Sequence, residues 1–175
     1  MMLLVCLSSG IGAMIGSKFG STNLGANIPP IPLLADTATK GKSMSMATGL
    51  ISPEVEGLYV LDHASGMLQC WLLNPRTGAV GGIYQTNVLA DLGVEKVGAG
   101  DYVMVTGGFA FTGGVTGNIL PSGSIVYVGD EATGKVVGYS FSFNRTELNR
   151  GIMQRGVLRA VCAGPTRGGS VERDQ

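Results

Sequence analysis

Two five-residue separators constrain this chain more than any other feature. Asp62-His-Ala-Ser-Gly66 and Asn74-Pro-Arg-Thr-Gly78 divide apolar runs between Gly57 and Tyr84. Each opens with a side-chain acceptor, carries a hydroxyl residue fourth and ends in Gly. Asp or Asn bonds its own main chain two residues on, and Gly accepts the positive φ that closes a bulged hairpin. The stretch therefore predicts a three-stranded antiparallel meander with two turns of one type.

The first hairpin has an echo. Ile125 to Phe143 aligns on it without gaps: Tyr59 with Tyr127, Val60 with Val128, Asp62 with Asp130, Gly66 with Gly134 and Trp71 with Tyr139. Internal similarity of this kind marks one supersecondary unit used twice. Hairpins like these occur in propeller blades. However, a blade takes about 40 residues and closure needs at least about four blades, and since roughly the first fifty of the 175 residues look unlike a blade, a closed propeller from one chain is not expected. The fold class expected is all-β: an antiparallel meander and hairpin sheet, as a sandwich, a partial barrel or a propeller-blade-like unit, with an N-terminal hydrophobic helix. About six or seven strands are foreseen, able to fold back on themselves or to complete a core with other copies.

Residues 1–19 are read as a hydrophobic anchor or signal segment. Met1 to Gly16 carries no charge before Lys18, close to the roughly 17–20 apolar residues a spanning helix needs. It lacks a basic leader and a clear cleavage site for a signal peptide. Ser8, Gly12, Gly16 and Gly20 form a small-residue stripe at the spacing that lets helices approach in lipid. Cys6 falls within this segment. Residues 20–46, with Ile28-Pro-Pro-Ile-Pro32, read as a linker. Residues 47–163 are the expected β-domain and 164–175 a disordered tail. Within the domain, Thr86 to Gly93 predicts one or two helical turns ended by glycine, with Thr86 or Asn87 as cap.

Charged residues make up only 14% of the chain, against an ordinary share of about 25%, and the net charge is zero. Nothing here advertises a nucleic-acid partner. Gly129 to Val136 has the look of a phosphate loop, yet Val136 follows Lys135 where Ser or Thr is required, so it reads as a hairpin turn. His63 is the single histidine and is expected as an exposed turn residue. Asp62, Asp130 and Glu131 are weighed as acid–base or calcium groups and read instead as turn-forming. Cys70 and Cys162 are either a disulfide or buried thiols. Trp71, Tyr84, Phe109, Phe111 and Tyr139 would line a pocket if the chain were a ligand-binding subunit, and otherwise belong to the core. Asn144-Arg-Thr is a glycosylation sequon by pattern only. Six of the twelve basic residues lie from Arg145 onward, a thinly spread surface. No catalytic, cofactor-binding or metal-binding residue is assigned, and no cofactor.

Several motifs together resemble a family of short, uncharacterised proteins of planctomycete bacteria. They are the hydrophobic N-terminus, Ala47-Thr-Gly49, Glu56-Gly-Leu-Tyr-Val-Leu-Asp62, Gln85 to Gly93, Tyr102 to Gly107 and Ser124-Ile-Val-Tyr-Val-Gly-Asp130. The resemblance implies a membrane-associated β-rich protein and brings no activity or site residues. The expected function is a membrane-anchored, single-pass structural or protein-interaction module of a bacterial envelope. Its β-domain is placed on the periplasmic side, homo-oligomerisation is open, and the protein partner is unknown. The alternatives are a propeller-like ligand-binding or catalytic subunit completed by oligomerisation, and a protein secreted after signal cleavage.

Overall fold

The computed structural model describes residues 38–98, 100–113 and 115–167. The expected N-terminal helix, most of the linker and the end of the tail lie outside the described residues. Among the described residues no helix is long and apolar enough to cross a membrane.

The meander forms as its turns dictate. Strands β3 (Val55–Asp62), β4 (Met67–Leu73) and β5 (Val80–Asn87) pair antiparallel. In the first turn the Asp62 carboxylate accepts the Ala64 N–H at 2.9 Å and the Ser65 hydroxyl at 2.7 Å. In the second the Asn74 side chain accepts the Arg76 N–H at 2.9 Å. The echoed turn repeats the device, the Asp130 carboxylate accepting the Thr133 N–H at 2.8 Å. Gly66, Gly78 and Gly134 close the three turns at φ of 68°, 70° and 67°, each donating its N–H to the carbonyl of the opening residue. A side-chain Cβ disfavours that region, which is why glycine ends every separator.

Around the meander, β1 (Ala38–Lys40) and β2 (Met44–Ser52) extend one edge of the first sheet, and β11 (Gln154–Val157) adds parallel to β5 at the other. The second sheet runs β12 (Arg159–Pro165), β9 (Lys135–Ser140), β8 (Ser124–Asp130) and β6 (Tyr102–Gly108), all antiparallel. A two-stranded ladder joins β7 (Ile119–Pro121) to β10 (Ser142–Asn144). The short helices are α1 (Leu89–Leu92) and α2 (Arg145–Asn149).

The two sheets pack face to face. Tyr59, Leu61, Leu68 and Leu72 of the first meet Val126, Val128, Val137 and Tyr139 of the second in one core. The Tyr59 hydroxyl and the Ser124 hydroxyl share a hydrogen bond of 3.1 Å across the layers. On one side the sheets share a continuous piece of chain. Leu158 is buried, donates its N–H to the Gln85 carbonyl, and links β11 in one sheet to β12 in the other. On the opposite side the Thr106 hydroxyl of β6 donates to the Thr48 carbonyl of β2. The result is an all-β sandwich with one corner strand, and the two related hairpins lie in different layers rather than in successive blades.

Several boundaries move. Among the described residues strand is already present at Ala38, inside the expected linker, and β12 runs to Pro165, past the expected end of the domain at residue 163. The first shift has a cause: the inward residues of β2 are Ser45, Ala47, Gly49 and Ile51, too small and polar to read as apolar alternation. The glycine-terminated helix forms as α1, with Gly93 at φ 73° and the Asn87 side chain accepting the Leu89 N–H at 3.0 Å. The α2 helix is unforeseen. Its cap is Asn144, whose Oδ1 accepts the Thr146 and Glu147 N–H groups, so the sequon asparagine is committed to a helix start.

Candidate functional site

His63 is not the exposed turn residue that its position suggests. It is 7% exposed, its Nε2 lies 2.8 Å from the Ser45 hydroxyl, and its ring meets Tyr102 edge-on at 5.5 Å. Parity could have located it: Val55, Gly57, Tyr59 and Leu61 point inward, and His63 continues that series. A serine beside a histidine invites a nucleophile reading, but that chemistry needs a third orienting group and access for substrate. Ser45 is 1% exposed, and among the described residues no carboxylate hydrogen-bonds the His63 ring. The bond ties the end of β3 to its neighbour β2, and the ring edge reaches Tyr102 of β6 in the other sheet.

The acids serve main chain and surface. Asp62 is held below the usual carboxylate range by the Ser65 hydroxyl and the Ala64 N–H. Asp130 is 2% exposed and accepts the Asp101 N–H at 3.0 Å as well as that of Thr133. Glu131 and Asp101 flank Lys40 at 2.8 and 2.6 Å. The bond to Asp101, then that to Glu131, raises the pKa of the Lys40 ammonium. All three are exposed, and such trios contribute little in water. Among the described residues no group of three or more His, Cys, Asp or Glu could hold a metal. Cys70 and Cys162 are both free. Cys70 is buried on β4, its thiol pushed up by burial, whereas Cys162 is exposed on β12 of the other sheet.

The candidate aromatics do not converge. Tyr139 is core, Trp71 is exposed on the outside of the first sheet with its Nε1 donating to Gln69, and Phe109 and Phe111 pack on each other at 4.7 Å. Tyr84 and Phe111 alone among the five line a common groove, of about 1000 Å3, between the β7–β10 ladder and the corner strand. In it Tyr84 stacks on Phe141 with centroids 4.1 Å apart and donates its hydroxyl to Gln154 at 3.0 Å. Burial pushes the Tyr84 phenol up to about 12.

The second candidate is the outer face of the second sheet. Val103 and Val105 of β6 are 42% and 53% exposed. Val105 pairs with Tyr127, and Val103 with Gly129, which pairs in turn with Val136. Tyr127 also pairs with Gly138, which lies beside Cys162. No outward position of β6, β8 or β9 in this patch carries a charge. Glycines at 107, 129 and 138 leave it flat, a feature the sequence carries as alternation between two apolar sets.

The fold and these surfaces define an all-β sandwich protein with an uncharged sheet face and a lateral groove. No protein-family model, curated protein or solved structure matches the chain.

Proposed function

We propose that this protein is an interaction module of a bacterial envelope. Its N-terminal segment holds it at the membrane, the β-domain stands on the periplasmic side, and the outer face of the second sheet meets a protein partner or another copy. The observation that carries this reading is the uncharged face around Val103, Val105 and Tyr127, since contiguous exposed apolar surface marks an interaction site. The low charged fraction of the chain and the resemblance to planctomycete proteins support the same assignment. Nothing in the Ser45–His63 pair or the acids supports catalysis, for the geometric reasons given above.

Cys162 borders the proposed interface and serves as its reporter. In native membranes the full chain should leave Cys162 protected from a maleimide that labels it readily once the chain is unfolded. A Cys162→Ser variant sets the background from the other thiols. Equal, rapid labelling of Cys162 in membranes and in the unfolded chain would remove the interface.

The groove favours a second reading, ligand binding. In this fold the ligand would lie beside the corner strand, not in a pocket between blades.

A further inference from the structure

The groove beside Leu158 is separate from the outer sheet face, and its lining combines two chemistries. Its apolar wall is the Tyr84–Phe141 stack together with Met153, Val157 and Val161, the last three exposed to solvent. Apolar groups left wet inside a concavity are the usual floor of a small-molecule site. Arg155 and Arg159 line the same groove on either side of Leu158, and neither has an ion-pair partner among the described residues. Glu147 is the one acid in the lining, so the rim carries an excess of positive charge.

On the β10 side of the groove the main chain is largely taken. Asn144 donates its N–H to Gln154 Oε1 at 2.8 Å and accepts from Gln154 Nε2 at 2.9 Å. The glutamine amide thus stands where a neighbouring strand would pair. In β10 only Ser142 remains to offer both main-chain groups on that side, since alternate residues of a strand point the same way. Strand addition at β10 would need a longer free edge than one residue. A small ligand needs none.

We propose that the groove binds a single-chain amphipathic carboxylate, its apolar tail against Tyr84, Phe141 and Met153 and its head between Arg155 and Arg159. Guanidinium groups match a carboxylate in planar, two-point geometry, and an adjacent apolar wall strengthens the pairing by excluding water.

The test uses the full chain in nanodiscs of zwitterionic lipid, titrated calorimetrically with decanoate and, separately, decylammonium, with empty nanodiscs as the blank. Decanoate should bind saturably and at least about tenfold tighter than decylammonium. Arg155→Gln combined with Arg159→Gln should weaken decanoate by roughly tenfold or more and leave decylammonium unchanged. Met153→Asp should weaken decanoate as well, with the strand circular dichroism unaltered. A Val103→Asp, Val105→Asp chain should bind decanoate normally, so failure at the groove and failure at the outer face are separable. No saturable heat above the blank, equal affinity for the two head groups, or indifference to the paired arginine change would each overturn the proposal. Uptake that appears only when the disc lipid is anionic would do the same, by assigning the arginines to a bilayer surface.

Discussion

Asp62 and Asp130 open the same turn and face opposite ways. Asp62 is exposed, whereas Asp130 is buried and takes a second N–H, that of Asp101, on its carboxylate. The reversal runs through both hairpins: Tyr59 is core and its counterpart Tyr127 lies on the outside, while Trp71 is outside and Tyr139 is core. A strand side chain's face is set by a period of two, so the same turn attached one residue out of phase presents the other face. One turn design has been used to build both layers of a sandwich.

The two aspartates should therefore respond differently to mutation. Asp130→Ala removes a buried acceptor from two main-chain donors and should cost about 2–3 kcal/mol. Asp62→Ala should lower the melting temperature much less, since water replaces the lost acceptor. Thermal unfolding of the two variants side by side checks the order.

The turn glycines separate strain from packing. A Cβ on Gly78 meets nothing, so Gly78→Ala should cost only the conformational term of about 1–2 kcal/mol, and Gly78→Asn less. At Gly66 a Cβ would come within 2.7 Å of Leu89, so Gly66→Ala should cost clearly more. Denaturant midpoints of the three variants decide this.

Two buried hydroxyls near one another predict opposite effects. The Ser45 hydroxyl satisfies His63, so Ser45→Ala should destabilise by about 1–3 kcal/mol. The Tyr102 hydroxyl is buried with no hydrogen-bond partner among the described residues, so Tyr102→Phe should be neutral or stabilising by up to about 1 kcal/mol. Chemical denaturation reads both.

Alkali should unfold the domain earlier than surface charge alone would. Burial raises the pKa of the Cys70 thiol and of the Tyr59, Tyr84 and Tyr139 phenols, with the Asp91 bond adding to Tyr139. A raised folded pKa means the unfolded chain releases its proton first, so stability is complete below the unfolded pKa and falls as pH rises. The window opens near 9.0, the ordinary value for cysteine, and extends through the Tyr84 value of about 12. Urea midpoints measured from pH 7 upward should fall across that range, and Cys70→Ser should move the onset toward tyrosine's 10.0.

The turns were legible in the sequence because their chemistry is local, an acceptor, a hydroxyl and a glycine within five residues. Which layer each hairpin joins was not, since that depends on phase relative to a sheet assembled from distant segments. The groove was hidden for the same reason: Tyr84, Phe111, Phe141 and Arg155 come from four separate parts of the chain. His63 looked like a loop residue because its neighbours Asp62 and Ala64 belong to the turn, although strand parity sends it inward.

An interface is proposed on the outer face of the second sheet. It is tested most directly by the native mass of the full chain extracted from its own membranes in mild detergent, compared with a Val103→Asp, Val105→Asp variant. The natural chain should run as a complex of defined stoichiometry and the variant as a monomer of unchanged strand content. A natural chain that emerges as a monomer, or a variant whose complex is unaltered, would contradict it.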